Sequence, residues 1–462
     1  MQNDRYELVV IGSGPAGQKA AISAAKMGKR VALIDRNATI GGVCVHSGTI
    51  PSKTMREAIL YLTGFTERTF YGRDYRVKEQ ISVQDLTFRV EAIVSRETEV
   101  IRAQLKRNRV TLIDGTAHFA DAHTLEVQGT AGTTTVAGDY ILIACGTRPA
   151  ANAKIPFDGK QILQAEQMPC ISAVPRTAIV VGAGVVGLEY ASFLAALGAK
   201  VILLDARPTI LDFVDREIVE SLTYHLRELR TTFRLGEKVT NVGIDADRGE
   251  VFAELESGKR VMADVLLNAV GRQANGDQLA LEAAGLKPDA RGKIAVNEKF
   301  QTEVPNIYAA GDIIGFPALA STSMEQGRLA TSHIFGCNAT QMPELFPYGI
   351  YTIPEISMVG QTEEQLTAAG VPYEIGVARY AELAKSMMLG DEHGMLKLLF
   401  HRSTLKLLGV HAIGERATEI IHIGQAVLAF GGTIAYFRDS VFNYPTLAEA
   451  YKVAAFDGFN RL

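Results

Sequence analysis

The sequence predicts an α/β protein in which one βαβ unit occurs twice and a separate α+β unit closes the chain. Three observations predict it. Residues 9–36 (VVIGSGPAGQKAAISAAKMGKRVALIDR) and 179–206 (IVVGAGVVGLEYASFLAALGAKVILLDA) share one layout. Each runs from an apolar strand through GxGxxG into an Ala-rich helix, then past a Gly into a second apolar strand ending at Asp. The landmarks keep a constant offset: residue 182 against 12, 198 against 28 and 205 against 35, each 170 apart. From Phe346 onward the pattern changes to strands (394–400, 406–413) and then helices (416–429, 447–456), as in a separate α+β unit. The length of 462 residues, too great for one ordinary core, agrees with several domains.

The elements follow in chain order. The start is polar, and the apolar stretch from Leu8 to Ile11 is ended at once by Gly12, Ser13 and Gly14. That stretch is too short for a signal-peptide core, so the expected location is cytoplasmic. Gly12 permits the tight turn out of the first strand, Gly14 lets backbone approach a pyrophosphate, and Gly17 lets helix and strand pack closely. Gly182, Gly184 and Gly187 do the same in the second copy. The helix N-terminus then offers unpaired N–H groups and the positive end of its dipole to phosphate. Asp35 and Asp205, each 23 residues after the first Gly, are placed to accept hydrogen bonds from an adenosine ribose. Two such units are Rossmann-like domains for two dinucleotides, and a bound flavin with a visiting nicotinamide nucleotide is the natural pairing for hydride chemistry.

Between the copies, residues 110–127 and 139–144 read as strands, and Ala144–Pro149 breaks the pattern at a domain boundary. Val251–Leu255 and Arg260–Leu267 flank Ser257-Gly258 and read as a hairpin. Ala269–Arg272 and Thr302–Asp312 follow.

Composition narrows the function. Lys and Arg total 47 against 51 Asp and Glu, a net charge of −4, which argues against a nucleic-acid or polybasic membrane binder. No apolar run is long enough for a membrane span. No metal site is read from the sequence. Four cysteines, Cys44, Cys145, Cys170 and Cys337, do not make a disulfide-stapled fold. In a reducing compartment Cys145, Cys170 and Cys337 are expected as buried thiols.

Gly41–Lys53 (GGVCVHSGTIPSK), with the first GxGxxG, Ala144–Pro149, Ala269–Arg272, Thr302–Asp312 and Tyr351–Glu355, resembles the flavoprotein disulfide reductase family, of which dihydrolipoamide dehydrogenase is the best-known member. The resemblance spans nearly the whole chain in order. It implies an FAD domain at 1–149 that is completed by a return segment at 271–345. It also implies an NAD(P) domain at 150–270 and a dimerisation domain at 346–462 that makes a homodimer. By the same resemblance Asp312 holds the ribityl chain, and Cys44, Thr49, Lys53 and Gly146 line the FAD site. Gly271 belongs to the NAD(P) site, and Lys53 and Glu189 pair beside the flavin N5 and the nicotinamide.

Two departures bear on activity. The family's redox disulfide needs a second cysteine where this chain has Thr49, and its acid/base histidine stands where this chain has Asn443, ahead of Tyr444-Pro-Thr446 and the retained Glu449. A hydroxyl cannot form a disulfide, and Asn cannot shuttle a proton at neutral pH. The pattern resembles the soluble pyridine-nucleotide transhydrogenase branch, with Si-specific hydride exchange between NADPH and NAD by a ping-pong route through FAD. The alternatives are a disulfide reductase, a peroxidase-type flavoenzyme that uses Cys44 alone, and a non-enzymatic flavoprotein. Arg207, two residues past Asp205, is the candidate for an NADP 2′-phosphate, against the preference of Asp205 for the free hydroxyl of NAD. Cys44 reads as a small residue left from the family pattern, His46 as shaping the pocket, and His422 as packing.

Overall fold

The computed structural model describes residues 4–37, 39–150, 155–171, 173–337 and 340–462, and for Cys170 the backbone alone. The extreme N-terminus and the side chain of Cys170 thus lie outside the described residues. The chain divides into two compact units, Met1–Thr54 with Phe88–Ala151 and Gly271–Pro343, and Met55–Thr87 with Asn152–Val270 and Glu344–Leu462.

The first unit is built on a seven-stranded sheet. Its order is Thr111–Asp114, Val31–Asp35, Asp4–Ile11, Gly132–Ile143, Thr124–Gly129, Thr116–Phe119, and Ile307–Ala309 also pairs with Gly132–Ile143. Side chains alternate between two cores, as strand geometry requires. Leu8, Val10, Leu33 and Leu142 pack with Ala20, Ala21 and Ala24 of the helix Pro15–Lys26, while Val9, Ile11, Ile34, Ile141 and Ile143 pack on the opposite face. The span 110–127 is three strands, because Gly115 turns at φ +154° where a Cβ would meet Val127 at 2.7 Å.

Besides pairing with Asp4–Ile11, strand Gly132–Ile143 is long enough to serve two further partners. Residues 132–137 form an antiparallel ladder with Thr124–Gly129, while 141–143 pair in parallel with Ile307–Ala309. This second pairing brings the Thr302–Asp312 motif back to the first sheet and sets Asp312 just beyond a buried strand.

The second unit holds three sheets. A five-stranded sheet runs Thr231–Leu235, Lys200–Asp205, Thr177–Val181, Val265–Asn268, Ile162–Gln164, with all its pairings parallel. The helix Val185–Ala196 packs against it and is apolar almost all round, the signature of a helix buried on every side. Val251–Leu255 and Arg260–Ala263 form the expected hairpin, with Val239–Ile244 alongside. The second arm is shorter than Arg260–Leu267, however. The Asp264 carboxylate accepts the Arg176 and Thr177 N–H groups at 2.8 and 2.9 Å, so the chain leaves the hairpin there and Val265–Asn268 joins the parallel sheet. The C-terminal sheet is antiparallel, in the order Tyr348–Ile350, Ile356–Gly360, Leu407–Ile413, Met395–His401, Tyr373–Arg379, and is covered by the helices Ala417–Ala429 and Glu449–Phe459.

One ion network runs through the core of this unit. Lys397 is fully buried, and its Nζ lies 3.0 Å from Asp215, 3.0 Å from Glu217 and 2.5 Å from Glu363. Asp215 is equally buried and caps the helix Arg216–Glu228 by accepting the Glu217 N–H. Among the described residues no helix is long and apolar enough to cross a membrane. Breaking a buried pair strands the remaining charge, at about 3–5 kcal/mol. Lys397→Met is therefore expected to destabilise the protein by about that amount, read from urea unfolding midpoints, and an unchanged midpoint would remove the network from the stability of the fold.

Candidate dinucleotide sites

The two GxGxxG turns adopt the same geometry. Gly12 has φ +104° and Gly182 φ +102°, values open to glycine. A Cβ on Gly17 would stand 1.9 Å from the Gly12 carbonyl oxygen, and one on Gly187 would stand 1.8 Å from that of Gly182. Helix and strand therefore meet with no room for a side chain. Gly14 and Gly184 differ: a Cβ on either would meet nothing within 4 Å. The chain itself does not require glycine there. The open space leaves room for a ligand to approach the backbone at both positions, which fits a pyrophosphate. Both glycines are N-caps without a side-chain cap, and neither helix has an acid in its first turn. The N–H groups at these ends are left for an anion.

Asp35 and Asp205 hold these turns. Asp35 Oδ2 accepts the Ser13 N–H at 2.7 Å and its hydroxyl at 2.5 Å, and Oδ1 accepts the Asn37 N–H at 2.9 Å. Asp205 repeats the pattern at the same offset, with the Ala183 N–H at 2.7 Å and the Arg207 N–H at 2.8 Å. This tie between strand end and turn is a role the motif reading missed, although the matching offset of the two carboxylates was its signal. Arg207 adds a bidentate pair, Nε to Oδ1 at 3.1 Å and Nη2 to Oδ2 at 2.8 Å. Burial pushes the Asp205 carboxyl up, but the Arg207 and Ala183 hydrogen bonds outweigh it and hold the group below its usual range. Arg207 itself is half exposed, so its guanidinium has solvent into which it can turn.

In the first unit several of the other family positions meet the first turn. Ser13 Oγ accepts the Gly41 N–H at 2.9 Å, and a Cβ on Gly42 would fall 2.9 Å from Gly14 Cα. Gly12 abuts Ala144, next to Cys145 and Gly146, and Gly146 is in the left-handed region with open space around it. Asp312 accepts the Thr147 and Ser323 hydroxyls at 3.3 and 3.4 Å. Gly271, at φ +73°, also lies in this unit, where its carbonyl accepts the Ala150 N–H at 3.2 Å. Lys53, on the helix Thr49–Thr63, donates to the Ser52 hydroxyl at 3.3 Å.

Cys44 lies on the short helix Gly42–His46, and Thr49 opens the next helix. Burial pushes the Cys44 thiol above its ordinary range and the Thr49 hydroxyl only partly offsets this, so the reactive thiolate is disfavoured. His46 Nε2 is engaged with the Ile40 carbonyl at 2.9 Å. Burial pushes the Cys145 thiol up to about 12. Cys337 corrects the expectation of a buried thiol: it follows the helix Ala320–Ile334 and is exposed. His422 is likewise exposed and bonds Gln425, rather than packing in the core.

In the second unit Glu189 is 3% exposed on the helix Val185–Ala196, and its Oε1 accepts the Tyr351 N–H at 2.9 Å. Ser192 Oγ, one turn on, accepts the Ile353 N–H at 3.0 Å. The Tyr351–Glu355 motif is thus a backbone segment clamped by this helix. Asn443 is exposed, and its carbonyl accepts the Thr446 hydroxyl at 2.7 Å. Because a Cβ at Gly187 would stand only 1.8 Å from the Gly182 carbonyl oxygen, Gly187→Ala is expected to raise KM for nicotinamide nucleotides while bound flavin absorbance stays at wild-type stoichiometry. Unchanged KM would show that the second turn tolerates the displacement.

The comparisons bear on the whole chain. Residues 6–327 match the family model of the pyridine nucleotide-disulphide oxidoreductases, and residues 346–455 match the dimerisation domain of the same family. A protein of Mycobacterium tuberculosis named soluble pyridine nucleotide transhydrogenase is 53% identical over 99% of this chain and 98% of its own length. One of Hahella chejuensis with the same name is 44% identical over the full length of both. Among solved structures, LpdA of Mycobacterium tuberculosis superposes with a TM-score of 0.90 at 26% identity over 98% of this chain and 99% of its own. With both turns, both carboxylates and the return strand in place, the chain belongs to the pyridine nucleotide-disulphide oxidoreductase family.

Proposed function

We propose that this protein is an FAD-dependent transhydrogenase that interconverts NADPH + NAD⁺ and NADP⁺ + NADH, with the two nucleotides taking turns at one nicotinamide site and without a redox disulfide. The observation that carries the reading is Thr49, a hydroxyl at the head of the helix Thr49–Thr63 where a disulfide partner of Cys44 would stand, beside a thiol that burial pushes above its ordinary range. A disulfide reductase needs two sulfurs at these positions, and a single-cysteine peroxidase-type enzyme needs a thiolate. The full-length relatives named soluble pyridine nucleotide transhydrogenase support the same choice.

FAD, when bound, supplies a two-electron centre that can take up and give back hydride. The chain's own residues do the rest. Residues 1–149 and 271–345 hold FAD through Gly12, Gly14, Gly17, Gly146 and Asp312. Residues 150–270 bind the substrate nucleotide through Gly182, Gly184 and Gly187. Lys53 offsets negative charge on the flavin side, and Glu189 orients the nicotinamide side through the Tyr351 backbone. The Asp205–Arg207 pair supports the reading of dual use. With NADH the pair stays closed, and with NADPH the guanidinium turns from the carboxylate to the 2′-phosphate. Residues 346–462 carry the exposed apolar side chains Phe430, Tyr436, Val441, Tyr444 and Phe456, suited to a homodimer in the cytoplasm.

Two substitutions test this. Cys44→Ala is expected to keep most of the NADPH-to-thio-NAD⁺ turnover, with no reduction of an oxidised dithiol by wild type; turnover of the dithiol and none of thio-NAD⁺ would sink the reading. Arg207→Ala is expected to raise KM for NADPH about tenfold or more, on the scale of a lost charge-assisted contact, and to change KM for NADH little. Equal changes would remove Arg207 from the phosphate site.

A further inference from the structure

Apart from the nucleotide motifs, a side-chain cluster among the described residues combines histidines and a carboxylate at the spacing of a metal centre. His225 and Glu228 stand three residues apart on the helix Arg216–Glu228, and so share one face. His393 lies in the connection between the helix Ala384–Leu389 and the strand Met395–His401, with its ring centroid 5.0 Å from that of His225. One ligand atom from each of His225, Glu228 and His393 lies within 4.8 Å of the other two. His225 is only 8% exposed, yet neither of its ring nitrogens has a hydrogen-bond partner among the described residues. Phe65 packs edge-on to the same ring at 6.2 Å. A buried imidazole with two orphaned nitrogens calls for an explanation, and an ion is one.

We propose that His225, Glu228 and His393 form a binding site for one divalent transition-metal ion of the zinc class. Two imidazole nitrogens and a carboxylate oxygen suit that class, and three protein ligands leave a fourth position for water. Ligand atoms on a tetrahedral zinc stand about 3.4 Å apart. The exposed Glu228 and His393 close the remaining gap by side-chain rotation, while buried His225 stays fixed. The ion ties the last turn of the helix to the connection before Met395, and so staples two segments of the second unit. The other acidic group with ligand spacing, Asp215, Glu217 and Glu363, differs because Lys397 already occupies its centre.

The test uses the full-length, FAD-loaded protein, stripped with a chelator and carrying Cys337→Ser to remove the exposed thiol. Titration with zinc chloride by calorimetry is expected to give saturable binding of one ion per chain and a rise in unfolding temperature. Cupric ion at the same site is expected to show imidazole nitrogen coupling by electron paramagnetic resonance. His225→Gln with His393→Gln should abolish all three effects. If the double variant misfolds, His393→Gln alone, at an exposed position, carries the test with flavin absorbance as the folding control. No saturable binding in the parent would overturn the proposal and leave water as the partner of His225. Undiminished binding in the variants would equally overturn it by moving the ion elsewhere.

Discussion

The carboxylate at the end of the second strand of each repeat anchors the Gly-rich turn through the N–H that follows its first glycine. A charge-assisted bond of this kind contributes about 1.5–3 kcal/mol, and its more important effect is positional. It fixes the turn at a positive φ that L-residues avoid, and the turn in turn fixes where the helix begins. The contact at Gly17 or Gly187 then holds the helix against the strand, with its N–H groups aimed outward. The outward-facing helix end is the sum of these constraints and needs no charged side chain of its own.

The same carboxylate is held by different side chains in the two copies, on the same backbone frame. In the first copy Ser13 completes the set of donors, while in the second Arg207 does. Arg207 occupies the position that Asn37 holds in the first copy, and their backbone N–H groups make the same bond. A single side chain thus makes the second acid half of an ion pair, where the first is held by a hydroxyl and N–H groups.

Much of this was legible in the sequence, for local reasons. The strand–turn–helix units announce themselves because the glycines, the apolar strands and the acid recur at fixed spacing. Thr49 and Asn443 stood out because a motif fixes what should be there. The rest depended on partners distant in the chain. Asp264 ends the hairpin arm through N–H groups nearly ninety positions earlier, and Lys397 meets Asp215 across a separation of 182. The pairing of His225 with His393 is of the same kind, since neither residue has a local signal that names the other. The exposure of Cys337 was missed for the complementary reason: a lone cysteine is usually buried, and only the end of the helix before it decides otherwise.

That exposed thiol makes the protein chemically addressable. The Cys44 and Cys145 thiols are held up by burial, so a maleimide or iodoacetamide reagent at neutral pH meets one ready nucleophile among the described thiols. Cys337 lies just past the helix Ala320–Ile334, with its Sγ 3.7 Å from the Met27 sulfur. A fluorophore there would report from the end of the first nucleotide-motif helix, on a residue outside every binding position named above.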